Sequence, residues 1–270
     1  MSEDKELKQW KEKLFYQPKN GYDRIDAEQT GEIFAYAEGY KQFLDAARTE
    51  REAVNEAVAQ AEALGFVPYE RGMMLEPGTK IYKSVRGKAL MLAVMGRETL
   101  DHGANIAAAH VDSPRLDLKQ ITMYEADEMC YFKTHYYGGI KKYQWVTIPL
   151  QLRGVVVKKD GTVVDVCIGE GDEPKLVITD LLPHLGGEQS KKPLGEAIPG
   201  ETLNLLLGSR PLGDSDDTDR VKMQVLKRLY DKYGITEADF TSAELETVPA
   251  VNATDIGLDG DVVSVDASAV

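Results

Sequence analysis

Lys80-Ile-Tyr-Lys-Ser-Val85, Arg86-Gly-Lys88 and Ala89-Leu-Met-Leu-Ala-Val-Met95 read as two β-forming runs joined by a turn. What flanks this hairpin sets the fold class. Upstream, apolar residues recur at three- and four-residue spacings from near Asp26 to Leu64, through Ile33, Phe34, Ala37, Tyr40, Phe43, Leu44 and Ala47, then Val54, Ala57, Val58 and Ala61. That spacing predicts helix ending at Gly65. Downstream, the apolar run Asn105-Ile-Ala-Ala-Ala109 predicts a further strand that delivers His110-Val111-Asp112 before Ser113-Pro114 breaks it. A long helix feeding continuously apolar strands implies a sheet covered on both faces, an α/β layer architecture.

From Gln120 to about Gly208 the texture changes to short β-rich runs with turn signals between them. Tyr143-Gln-Trp-Val-Thr-Ile-Pro-Leu-Gln-Leu152 and Gly154-Val-Val-Val157 lead to a turn at Lys159-Asp160-Gly161, and Val163-Val-Asp-Val-Cys-Ile168 resumes the pattern. A second, β-rich module is therefore expected to interrupt the first. The acidic run Asp214 to Asp219 then precedes an amphipathic helix, near 217–233, whose Val221, Val225, Leu229 and Tyr233 share a face and which ends at Gly234. Ser242-Ala-Glu-Leu-Glu-Thr-Val248 alternates like a strand, and the residues after it carry no clear signal.

Composition limits the class. With 270 residues, 43% of them hydrophobic, the chain can bury one large core or two modest ones. Its two cysteines, Cys130 and Cys167, are too few for a disulfide framework and are read as core residues, and no leader precedes Lys5-Glu-Leu-Lys-Gln-Trp10. A cytoplasmic protein is expected. The formal charge of −13 repels phosphate backbones and no apolar stretch approaches membrane-spanning length, so neither nucleic acid nor membrane is an expected partner.

His110 and Asp112 are the leading candidates for chemistry. Two apart on a strand, they would face one cavity, with one imidazole nitrogen on a metal ion and the carboxylate fixing the other. The bland alternative is a structural histidine satisfied by a hydrogen bond, and a three-residue pattern alone does not separate the two. His135, before Tyr136-Tyr-Gly-Gly-Ile140, and His184, in Asp180-Leu-Leu-Pro-His-Leu185, either cap loops or serve a neighbouring subunit's site as oxyanion donors. The run Asp214 to Asp219 is not an EF-hand, because Asp219 stands where Gly is needed and Val225 where Glu is needed. No phosphate-cradling glycine motif or Gly-x-Ser-x-Gly elbow occurs.

Taken in order, Asn105-Ile-Ala-Ala-Ala-His-Val-Asp-Ser-Pro-Arg-Leu-Asp-Leu-Lys119, His135-Tyr-Tyr-Gly-Gly-Ile140, Asp180-Leu-Leu-Pro-His-Leu185, Glu201-Thr-Leu-Asn-Leu205 and Ser242-Ala-Glu-Leu-Glu246 resemble the aspartyl aminopeptidase family of zinc metalloaminopeptidases, over nearly everything from Phe15 to Asp259. The resemblance implies a zinc-peptidase α/β domain, here partial, begun by residues 1–119, interrupted by a β-rich dimerisation domain over 120–241 and resumed at 242–270. It implies a homo-oligomer, dimer or dodecamer, acting on a peptide substrate. His110 would ligate one of two zinc ions, Asp112 would orient it, and His184, or His135, would complete a neighbour's site. The chemistry implied is hydrolysis of an N-terminal residue, an acidic one being the candidate preference, by a metal-bridging water whose proton a Glu accepts.

The chain departs from that pattern downstream. About ten residues after Gly257-Leu-Asp259 the family would present an Asp-Asp-Arg with the bridging ligand, whereas here Val262-Val-Ser-Val-Asp-Ala-Ser-Ala-Val270 follows, with Ala269 near that place and Asp266 as a weak substitute. The family's Glu-Glu pair and final His have no counterpart. A single imidazole cannot replace the hydration of two zinc ions, so the chain is expected to be a truncated member, inactive by itself. A non-catalytic assembly or regulatory subunit, and a peptide-binding module without chemistry, remain open alternatives.

Overall fold

The structure is a computed structural model and describes residues 3–214, 217–260 and 262–264. The chain forms two compact units, residues 1–42 and 43–270. The first holds helix α1 (Glu3–Leu14) and most of α2 (Ala27–Ala46). A reciprocal pair starts α2, as the Gln29 amide donates to Asp26 Oδ1 at 2.9 Å and the Asp26 amide to Gln29 Oε1 at 3.2 Å.

The segment expected as one helix to Leu64 is two. α2 stops at Ala46 and α3 spans Glu50–Ala63. Between them Thr49 is extended, at φ −127° and ψ 161°, and its hydroxyl accepts the Glu52 amide at 3.2 Å. Arg48 beside it donates to the carbonyls of Pro249 and Val251 at 3.2 and 2.6 Å. These local bonds override an apolar spacing that runs through the break.

In the second unit, β1 (Val67–Pro68) lies parallel to β2 (Lys80–Val85), which pairs antiparallel with β3 (Ala89–Val94). The predicted hairpin forms, and Arg86 and Gly87 in its turn take φ values of 57° and 69°, which match the twist of the flanking strands. α3 lies against β2 and β3, and Met91, Leu92 and Val94 are exposed among the described residues. The strand expected at Asn105–Asp112 is corrected. Residues 103–114 are irregular and exposed for the most part, because a strand needs a ladder partner for its amides and none pairs with this segment among the described residues.

The main sheet begins at Arg115. It contains β4 (Arg115–Ala126), β5 (Met129–Tyr137), β6 (Leu150–Val157), β7 (Val163–Ile168), β8 (Leu205–Gly208) and β9 (Ala243–Pro249), in the order β7-β6-β9-β4-β5-β8 with every neighbour antiparallel. Because β9 sits between β6 and β4, the expected return to the first domain at residue 242 falls inside this sheet. The run from Tyr143 becomes a strand only at Leu150, since Lys142–Gln144 form a 3-10 turn that drops Trp145 fully into the core. Leu116, Phe132, Leu150, Leu152, Leu203 and Leu205 complete that core, and a short helix α4 (Leu194–Ala197) lies on the connection to β8. Gly154, at φ +135°, lets β6 approach β9 where any Cβ would run into the Glu244 carbonyl oxygen.

Helix α5 (Arg220–Tyr233) packs on β4, β5 and β8 and ends at Gly234 in the left-handed region, as the sequence predicts. Its N-terminal cap comes from elsewhere. Asp219 makes no side-chain cap, and instead the Glu125 carboxylate accepts the amides of Val221 and Lys222 at 2.9 and 2.8 Å. Glu125→Ala should therefore lower the denaturation midpoint by an equivalent of about 1–2 kcal/mol, and an unchanged urea midpoint would refute this assignment. A last antiparallel pair, β10 (Thr254–Ile256) and β11 (Val262–Ser264), forms where the sequence gives no signal. Asp266 and Ala269 lie outside the described residues. No described helix is long and apolar enough to cross a membrane.

Candidate functional site

The site is built where β4 and β5 meet the irregular segment before them. Arg115, the first residue of β4, pairs across the ladder with Tyr137, the last of β5. Its guanidinium lies 4.0 Å from the centre of the Tyr137 ring, and the Tyr137 hydroxyl donates to Asp112 Oδ2 at 2.7 Å. That bond draws the Asp112 carboxyl below its ordinary range and pushes the Tyr137 hydroxyl above its own.

Asp112 turns its other oxygen to His110. Oδ1 stands 3.3 Å from Nδ1, and the Asp112 backbone carbonyl stands 2.7 Å from the same nitrogen. Both partners can only accept, so a neutral imidazole in this geometry carries its hydrogen on Nδ1 and offers the lone pair on Nε2. The His110 side chain is 83% exposed, so that nitrogen is accessible. His110 and Asp112, paired by their sequence spacing, do meet, although a loop and not a strand presents them.

Behind Arg115 lies a buried ionic joint. Arg115 Nε is 2.7 Å from Asp117 and 3.4 Å from Glu246, while Nη1 is 3.2 Å from Glu50. The first turn of α3 is tied to three strands: Glu50 to Arg115 on β4, Arg51 to Glu244 on β9 at 2.7 Å, and Glu52 to Arg153 on β6 at 2.6 Å. Burial, then the charge of Glu50, pushes Glu246 up to about 8. Burial also acts to raise Glu50, but its own backbone amide and Arg115 hold it below the usual carboxylate range.

Oxygens of Glu50, Glu244 and Glu246 come within 4.8 Å of one another, a spacing a metal ion could use. Lys88, which contacts both Glu50 and Glu244, together with Arg51 and Arg115, already neutralises them, so the cluster works as an ion-pair joint. His110 alone fits zinc as one donor. Among the described residues no metal-spaced group of three His, Cys, Asp or Glu side chains includes it.

His135 is exposed on β5, opposite Asp117 and stacked on Tyr136 at 5.5 Å. His184 is exposed in a turn beside Leu182 and Leu185. No hydrogen bond or ion pair among the described residues joins either histidine to His110. Cys130 is wholly buried, its thiol pushed up to about 12 chiefly by burial, and Cys167 is half-buried; neither is in a disulfide. A cavity of about 630 Å³ lined by Arg48, Arg153 and Lys175 contains none of the candidate residues. Arg115 and Tyr137 carry no role in the sequence reading. Both stand in the stretches 105–119 and 135–140 quoted there, but only the strand register brings them together.

Residues 43–267 match the model of the Aminopeptidase I zinc metalloprotease (M18) family. A probable M18 family aminopeptidase 1 of Clostridium acetobutylicum is 47% identical over 255 residues, covering 93% of this chain and 55% of that protein. Among solved structures, the M18-family aminopeptidase from Thermotoga maritima superposes with a TM-score of 0.85 at 40% identity, over 91% of this chain and 53% of that one. Aminopeptidase I from Clostridium acetobutylicum gives 0.80 at 44%, over 92% and 55%. The chain thus spans about half the length of the relatives it matches. With a mixed α/β fold shared at that level and the family model matched across most of its length, the chain belongs to the M18 family of aminopeptidase I zinc metalloproteases.

Proposed function

We propose that this chain carries one part of a dinuclear zinc aminopeptidase site, with His110 as a zinc ligand and Asp112 as the group that orients it. The protein it serves would release N-terminal residues from peptides in the cytoplasm, acidic residues being the candidate preference. The observation that carries this reading is the Asp112 pair of oxygens on His110 Nδ1, at 3.3 and 2.7 Å, which leaves Nε2 to coordinate. Bound zinc would supply an activated water and polarise the scissile carbonyl. The described residues of this chain hold the imidazole and its proton, and among them no metal-spaced ligand set includes His110.

The six-stranded sheet is the module for pairing with a second copy. Leu181, Leu182, Leu185 and Leu194 are exposed on its connections, and His184 stands among the first three, which supports its entry into a neighbour's site. Reconstitution tests the whole reading. The chain would be co-expressed with the part of the Clostridium acetobutylicum relative that lies outside the match, and assayed on chromogenic N-terminal Asp and Glu substrates. Chelator-sensitive turnover, lowered at least about 100-fold by His110→Ala, is expected. An assembled complex with no turnover, or one indifferent to His110→Ala, would remove it.

A further inference from the structure

We infer that Tyr137 is a positioning residue for His110, acting through Asp112; this rests on the reading of His110 as a metal ligand. Residues 103–114 have no ladder of their own, so their backbone alone does not fix Asp112. Among the described residues, the main sheet reaches the Asp112 carboxylate through the Tyr137 hydroxyl at 2.7 Å.

Tyr137 itself is held from several directions. Its backbone pairs with Arg115 in the β4–β5 ladder, and its ring lies 4.0 Å from the Arg115 guanidinium. Gly138, at φ +78°, brings the end of β5 alongside Pro114, where an added Cβ would stand 3.8 Å from the proline Cα. Arg115 is in turn fixed by Asp117, Glu246 and Glu50. A continuous chain of contacts therefore runs from the buried joint through Arg115 and Tyr137 to Asp112 and His110.

The consequence is specific. A hydroxyl donor on Oδ2 sets the rotation of the Asp112 carboxylate and turns Oδ1 toward the His110 Nδ1 hydrogen. Without it that oxygen is shared with water, the Nδ1 hydrogen keeps only the Asp112 carbonyl at 2.7 Å, and the preference for the tautomer that presents Nε2 weakens. The module proposed for subunit pairing would then also position a ligand of the metal site.

The test uses the full chain with 15N-labelled histidine at pH 8, where an ordinary imidazole is neutral. His110 is assigned by His110→Gln, and its ring nitrogen shifts report the two tautomers. In the wild type the Nδ1–H form should predominate. Tyr137→Phe, which keeps the ring on Arg115, should lower the Nδ1–H to Nε2–H ratio about two- to tenfold, the range of one lost hydrogen bond. Tyr137→Leu should lower it at least as far. A wild-type ratio retained in Tyr137→Phe would show that ring packing alone is at work and overturn the inference. Loss of reconstituted turnover in His110→Ala beside that unchanged ratio would reject the role of Tyr137 and leave the metal-ligand reading standing. A changed ratio beside full turnover in His110→Ala would reject the metal-ligand reading and, with it, the positioning role.

Discussion

Replacing Arg115 by alanine is expected to destabilise the unit of residues 43–270 by about 3–5 kcal/mol, the cost of removing one partner from a buried ion pair. The Arg115 side chain is 10% exposed, and its partners Glu246 and Glu50 are 5% and 9% exposed. Truncation leaves the ionised Glu50 carboxylate without its guanidinium partner, beside a Glu246 carboxyl that holds its proton up to about 8, and it removes the cation under the Tyr137 ring. Against a typical domain stability of about 5–15 kcal/mol, that loss is a large fraction. Urea unfolding at pH 7.5, followed by the fluorescence of buried Trp145, should show it. The deficit should grow above about pH 8, where Glu246 gives up its proton and faces Glu50 without the guanidinium. A deficit below about 1 kcal/mol at pH 7.5 would mean that the joint is a surface-like pair despite its burial.

Glu246→Gln should remove most of the pH dependence of stability between about pH 5 and 8.5. In the folded protein Glu246 titrates near 8, against an ordinary value of 4.5. Between those values the native state holds a proton that the unfolded state has released, so wild-type stability falls as pH rises through this window and levels off above about 8. At about 1.4 kcal/mol per pH unit the total is several kcal/mol. Glu50 has the opposite sign. Its lowered value contributes stability that is present above about 4.5 and lost as pH falls below it, so the optimum should lie on the mildly acidic side. Melting temperatures of both proteins from pH 5 to 9 decide the matter, and a wild-type curve that is flat or rises over pH 5 to 8 would contradict the account.

What the sequence made legible is what local chemistry decides. The Arg86-Gly87 hairpin, the Lys159–Gly161 turn between β6 and β7, and the Gly234 stop of α5 depend on residues adjacent in the chain, and each forms as read. The Thr49 break is local as well, since Thr49-x-x-Glu52 is a helix-start signature, and an apolar spacing that continues across it masks it.

Pairing at a distance was not legible. β9 shows strand alternation in its residues, yet nothing local places it between β6 and β4. At the site, the two-residue spacing of His110 and Asp112 was enough to join them. The strand inferred beneath them was not, because a strand exists only with a partner. Tyr137 and Arg115 follow the same rule: each is ordinary in sequence and meets the other through the β4–β5 register.

Zinc titration of the 270-residue chain against a chromophoric chelator, wild type beside His110→Ala, tests the central claim most directly. Weak zinc binding that is lost on dialysis and abolished by His110→Ala is expected. A stoichiometric pair of zinc ions retained through dialysis, or binding indifferent to His110→Ala, would contradict it.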